Sequence, residues 1–348
     1  MNTDRLLGLL KVYRQSPKEF HATSYWRSYE KNILDSISSI DINRLRSGKY
    51  PILATFGFSD AVYVYHLNLP LWKKAILKLI HRYLIKNRSI LPYNLGISDI
   101  REMAYHHCDM MASLCKARSL SNIEMSTFGN PGDIFEIHGQ KYSIQFLSYY
   151  LRYCFAHKHI SFKGDEIIVE LGSGAGQQVE VLKKLYPGLT VLCFDLPAQM
   201  FLCETYLTEA LGAEGIVGTD VTLGWKDLSQ IKKGHVHCFG NWQIPLLQNL
   251  EFDVFWNAAS FGEMEPAIVN NYLSYVKGKA KWVYLLQARH GKETTGKSHV
   301  KEPITFDDYN RLLSGYVLRE QHDAMQAHKR LSQSGGYFEG VWIKNEQK

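Results

Sequence analysis

From residue 165 onward, short apolar runs alternate with stretches of helical periodicity. Glu166–Leu171 is an apolar run that ends in glycine, and Gln177–Leu185 reads as a helix closed by Pro187-Gly188. Thr190–Asp195 is a second apolar run, and Ala198–Leu211 a second helix ending at Gly212. Further strands are expected at His235–Phe239, Phe252–Ala258 and Trp282–Leu286, separated by helical segments such as Ala267–Val276. Strands that are apolar throughout, alternating with helices, predict a parallel sheet covered on both faces. Tyr316–Glu320 and Tyr337–Lys344 read as two more strands joined through Gly335-Gly336, which fits an antiparallel pair at the sheet edge.

The first 160 residues have a different texture. Tyr, Leu, Ile and Arg recur there at helical spacing, with few strand-like runs. Leu71–Lys86 is amphipathic and basic, with no acidic residue from Leu71 to Arg88, and Pro70 stands where a helix can begin. A packed helix with a solvated basic face is the plain reading, and peripheral membrane contact through 71–88 is the sharper one. Turn signals cluster at Phe128–Asp133 and Gly139-Gln140, and an aromatic helix-like stretch, Tyr142–His157, follows. The expected organisation is a mainly helical domain over 1–160, serving as a cap on the acceptor or in oligomerisation, and an α/β domain over 161–348. The α/β part is expected to be Rossmann-like and doubly wound, with a mostly parallel sheet.

Composition narrows the class. Of 348 residues, 45% are hydrophobic and 21% charged, which excludes disorder, collagen and coiled coil as the main state. A net charge of +6 is mild for a chain this long and gives no reason to expect nucleic acid as a partner. None of the six cysteines forms a C-x-x-C pair, so buried free thiols are expected. The opening apolar run Leu6–Leu10 is broken by Gly8, and no stretch reaches 18 apolar residues. Neither a signal peptide nor a spanning helix is therefore expected, and the cytoplasm is the default location.

The chemistry centres on Glu170-Leu171-Gly172-Ser173-Gly174-Ala175-Gly176. A strand, an acid, three glycines and a helix in succession make a ligand-binding turn at a strand's carboxyl end. Gly172, Gly174 and Gly176 would leave the backbone open to a ligand. A dinucleotide fingerprint needs G-x-G-x-x-G, but here the third glycine comes one residue early and Gln177 follows. Glu170 would oppose a pyrophosphate and suit a cation. S-adenosyl-L-methionine, with its sulfonium and ammonium, meets that requirement. Asp195 ends the next strand, 25 residues after Glu170, and suits both ribose hydroxyls, with Leu196 beside it.

These features resemble class I methyltransferases. A narrower resemblance, to the sugar O-methyltransferase family, spans about residues 128 to 290. It rests on Gly129-Asn130-Pro131, on Asp195-Leu196-Pro197 with Tyr206-Leu207 on the following helix, and above all on Asn257–Met264. It implies S-adenosylmethionine-dependent methylation of a sugar hydroxyl in bacterial surface polysaccharide (O-antigen or capsule) or other glycoconjugate biosynthesis. The acceptor would be a sugar or glycoconjugate, with nucleotide- and lipid-linked forms open, and a homodimer stays open too. The alternatives are an NAD-dependent oxidoreductase on a related sheet and a non-catalytic methyltransferase-like subunit.

A base is needed to take the proton of a sugar hydroxyl. Glu263 is the first candidate, against a role as a helix N-terminal acid; His290 is the second, against an ordinary surface histidine. Asn257, at a strand's carboxyl end, is expected near the methionine end of the cofactor. Asn241 and Trp242 are expected beside the adenine, with Trp242 either stacking on it or packing in the core, and Gly218-Thr219-Asp220 is a rival for that place. Arg289–His299 reads as a lid or acceptor loop, or else a solvated one. No metal site is expected: His106-His107-Cys108 matches no zinc spacing, and Asp253 with Glu263 makes no compact acidic set.

Overall fold

The computed structural model describes residues 4–54, 57, 58, 72, 76, 92–292, 294, 300–325, 327 and 336–345. Its centre is an eight-stranded sheet. In chain order, a small hairpin, β1 (Phe135–Ile137) and β2 (Gln140–Tyr142), precedes the strands of that sheet. These are β3 (Ile167–Leu171), β4 (Thr190–Asp195), β5 (Ile216–Val217), β6 (Val236–Gly240), β7 (Phe252–Ala258), β8 (Ala280–Ala288), β9 (Tyr316–Asp323) and β10 (Tyr337–Lys344). They lie in the order β5-β6-β4-β3-β7-β8-β10-β9. The pairs from β5 to β8 are parallel, and β10 is antiparallel to both β8 and β9. The expected doubly wound, mostly parallel sheet with a C-terminal antiparallel pair is the observed fold.

β6 is buried at every position and β4 at all but its last, as strands covered on both faces must be. The longer helices are α1 (Asp4–Gln15), α2 (Ser24–Ser36), α3 (Pro92–Cys115), α4 (Ile144–Ile160), α5 (Gln177–Leu185), α6 (Pro197–Leu211), α7 (Pro266–Ser274) and α8 (Phe306–Leu312). α5 packs between α4 and α6, and α4 also meets β10. α1 lies on α6, where Arg5 Nη1 pairs with Glu204 Oε1 at 2.7 Å. One buried apolar cluster runs from Leu6 and Leu9 to Val341 and Trp342.

β5 and the hairpin β1–β2 escape a reading of periodicity, because two or three residues are too few to show alternation. β5 is the edge strand beside β6. Of the basic segment 71–88, only Trp72 and Ile76 are among the described residues, and both are exposed. The rest of that segment, and the question of membrane contact through it, lie outside them. Among the described residues no helix is long and apolar enough to cross a membrane. All six cysteines are buried and free.

Candidate functional site

The chain leaves β3 through a turn built on left-handed backbone. Gly172, Gly174 and Gly176 have φ of 76°, 58° and 78°, a region that side chains with a Cβ enter only under strain. The turn is tied to the neighbouring strand: Gly172 N–H donates to Phe194 O at 2.8 Å, and Gly174 N–H to Asp195 Oδ2 at 2.9 Å. Gly176 begins α5, and a Cβ there would lie 2.8 Å from Leu207 Cγ. Its task is close packing of α5 on α6.

β3 is the point where the strand order reverses: β4, β6 and β5 lie to one side, β7 and β8 to the other. A cleft opens at such a point, outside the carboxyl ends of the strands. Here a cavity lies there, floored by Glu170–Ala175 and flanked by Asp195-Leu196 and by Ala258–Ser260 with Glu263-Met264. Phe20–Thr23 and Trp26 close it from the N-terminal region, and Tyr149, Arg152 and Gln178 form a further wall.

The cavity is rich in acceptors. Glu170 is 4% exposed, and its Oε2 has no partner. Burial pushes its carboxyl up to about 8, opposed by a hydrogen bond from Ser173 and reinforced by the charge of Asp195. Burial likewise raises Asp195 to about 7, against the Gly174 and Leu196 N–H groups that hold its ionised form. Asn241 donates from Nδ2 to Phe20 O at 2.6 Å and to Tyr272 Oη at 2.8 Å, which leaves its buried Oδ1 unpartnered. A buried acceptor left unpaired costs on the order of 1–3 kcal/mol. Two of them, beside a second carboxylate, fit a ligand that brings positive charge and N–H or O–H donors, and they oppose a pyrophosphate.

The structure brings Glu170, Gly172, Gly174, Asp195, Leu196, Asn241 and Glu263 to one cavity. It places four other candidates outside the cavity lining. Gly176 packs rather than lines. Asn257 is wholly buried: Nδ2 donates to Leu171 O at 2.7 Å and Ser260 Oγ at 2.6 Å, while Oδ1 accepts from Phe261 N–H and Gln287 Nε2. It therefore ties the β3 and β7 ends together beneath the cavity and has no atom left for a ligand. Trp242 does not line the cavity; its indole covers Gly240 and packs on Tyr13, with ring centroids 5.4 Å apart. His290 is exposed and also outside the lining. Of the loop Arg289–His299, Glu293 and 295–299 lie outside the described residues. Asp253 accepts Ile167 N–H at 2.9 Å and so serves the sheet. Among the described residues no group of three His, Cys, Asp or Glu side chains could hold a metal ion.

Glu263 has surroundings that its own sequence neighbourhood does not announce. Its carboxylate takes hydrogen bonds from Tyr25 and Trp26 at the start of α2, and Lys292 Nζ lies 3.7 Å away. Thr23 Oγ1 donates to its backbone O at 3.1 Å. Burial pushes the carboxyl up to about 7 against these donors. Lys292 donates in turn to Tyr337 Oη at 2.8 Å. Thr23, Tyr25, Trp26 and Arg152 are not among the residues expected at the site, and Lys292 is expected only as part of the loop Arg289–His299. The aromatic pair Tyr25-Trp26 was the available signal, but nothing local links it to residue 263.

Neither profiles of known protein families nor curated proteins give a match to the chain. Solved structures do. A SAM-dependent methyltransferase from Aquifex aeolicus aligns with a TM-score of 0.36 and 15% identity, over 54% of this chain and 87% of its own. A TehB-like SAM-dependent methyltransferase from Corynebacterium glutamicum aligns at 0.35 and 14%, over 53% and 83%. Human N-acetylserotonin methyltransferase, solved in complex with SAM, aligns at 0.33 and 12%, over 58% and 56%.

Proposed function

We propose that this chain is an S-adenosylmethionine-dependent O-methyltransferase whose acceptor is a hydroxyl of a sugar or glycoconjugate. The observation that carries the reading is the unpartnered Oε2 of Glu170, buried in a cavity whose other wall holds Asp195. An ammonium satisfies the first carboxylate and ribose hydroxyls the second. The dinucleotide alternative loses ground at Gln177, which is 1% exposed and fills the position where that fingerprint requires glycine.

The cofactor, when bound, supplies a methyl group activated by the sulfonium. The residues of this chain do the rest. Glu170 holds the ammonium, Asp195 takes the ribose, and the glycine turn lets the ligand approach the backbone. Asn241 Oδ1 offers an acceptor on the β6 side. Glu263 faces the same cavity from the β7 side and takes the proton of the acceptor hydroxyl. Its raised carboxyl suits a base working near neutral pH. Trp26 lines the cavity beside that carboxylate, and an indole next to a carboxylate suits the C–H face and hydroxyl edge of a sugar. The resemblance through Asn257–Met264 supports the sugar class and the surface-polysaccharide setting.

Calorimetry with S-adenosylmethionine, S-adenosylhomocysteine and NAD tests the cofactor. Binding of the first two and not the third is expected, and binding of NAD alone overturns the reading. Transfer of labelled methyl to nucleotide- and lipid-linked sugars, scored by mass, tests the acceptor class. Methylation of a non-carbohydrate acceptor alone overturns the sugar assignment.

A further inference from the structure

The α4 side of the cavity carries a cation that the reaction above does not use. Arg152, on α4, is the only arginine or lysine among the described residues lining the cavity. Its guanidinium lies 4.6 Å from the ring centroid of Tyr149, one helical turn earlier. Two buried carboxylates feel its charge, Glu170 in the cavity and Glu339 on β10. Yet Glu170 Oε2 and both oxygens of Glu339 are without hydrogen-bond partners, so the guanidinium closes on none of these three atoms. It lines the cavity and is supported by the ring face of Tyr149.

This placement has a consequence if the cavity holds S-adenosylmethionine, and the inference rests on that reading. The amino-acid tail carries an ammonium and a carboxylate on one carbon. An ammonium seated on Glu170 sets the carboxylate within a few ångströms of it, inside a cavity already rich in acceptors. That anion needs a cation, and a planar fork of N–H donors matches a carboxylate in bidentate fashion. We propose that Arg152 anchors the tail carboxylate, forming with Glu170 a clamp for a zwitterion. The clamp selects the intact donor over its decarboxylated form, whose activated group is an aminopropyl chain, and so commits the site to methyl transfer.

The test is calorimetry on the full chain with three probes: S-adenosylhomocysteine, its decarboxylated analogue, and 5′-methylthioadenosine, which lacks the tail. Wild type is expected to bind S-adenosylhomocysteine at least tenfold more tightly than the decarboxylated analogue. Arg152→Met is expected to erase that preference and leave 5′-methylthioadenosine affinity unchanged, and Arg152→Lys to restore part of it. A uniform loss across all three probes in Arg152→Met would mark a structural role and overturn the clamp. Equal wild-type affinity for the first two probes overturns it without any variant, which covers a variant that does not fold. Wild type that binds none of the three overturns the cofactor reading itself, and the clamp with it.

Discussion

Asp195 reaches across from the end of β4 to accept the backbone N–H of Gly174 at 2.9 Å, locking the glycine turn to the neighbouring strand. The acid proposed to take the ribose thus also shapes the turn that admits the ligand. Gly174→Asp should break both functions. Its φ of 58° is unfavourable for a residue with a Cβ, at about 1–2 kcal/mol, and a third carboxylate would join Glu170 and Asp195. Cofactor binding in calorimetry should fall below detection while the protein still folds by circular dichroism. Retained affinity would place the ligand elsewhere.

Glu170 makes binding depend on pH in a direction that can be worked out. With its carboxyl raised to about 8, the ligand-free protein carries it mostly protonated at pH 7. A cationic ligand binds the ionised form, so bound protein must release that proton. Affinity for S-adenosylhomocysteine should therefore rise from pH 6 towards 8, with proton release seen as a buffer-dependent heat. Glu170→Gln should weaken binding by about tenfold or more and flatten the profile, since one charged hydrogen bond is worth ~1.5–3 kcal/mol. A variant with the wild-type profile would exclude Glu170 as the ammonium partner.

Glu339 predicts the opposite kind of pH effect, on stability. It is fully buried with no hydrogen bond to either oxygen, His322 Nε2 stands 3.8 Å from Oε2, and burial raises its carboxyl to about 8. The folded state then holds a proton that the unfolded chain releases near its ordinary value. Stability from this group is present at low pH and declines as pH rises from about 4.5 towards 8. Glu339→Gln, which needs no proton to stay neutral, should be more stable than wild type at pH 8 by on the order of 2 kcal/mol. Near pH 4.5 the two should melt alike. A destabilised variant at pH 8 would mean that the ionised carboxylate has a partner the fold depends on.

How far the sequence reaches is clear from where its readings stop. Period and glycine placement mark β3, α5, β4 and α6 closely, because each is long enough to show its repeat and ends on a turn residue. The acid-glycine turn and Asp195 come together for the same reason, both being ends of adjacent strands. Trp242 and Asn257 show the limit. Each sits one or two residues from a strand end, yet whether its side chain enters the cavity depends on packing partners, Tyr13 and Leu171, that are distant in sequence. Arg152 and Trp26 lie on helices whose pattern shows a buried face but not that part of this face borders a cavity.

Glu263 and Lys292 allow the base to be separated from a structural acid. The ammonium, 3.7 Å away, holds the carboxyl down while burial pushes it up, and the balance stands at about 7. If Glu263 takes the hydroxyl proton, wild-type kcat should rise with pH through about 7 and then level. Glu263→Gln should leave cofactor affinity intact and lower kcat by ~10²-fold, the typical contribution of a positioned base. Lys292→Met should move the acid limb to higher pH, so that its deficit is large at pH 7 and shrinks by pH 9. A purely structural pair would lose activity equally at every pH, and an unmoved limb would assign the proton to another group. Because Tyr25 and Trp26 donate to the same carboxylate, Trp26→Phe should shift the limb in the same direction, and more weakly, since it removes a neutral donor rather than a charge.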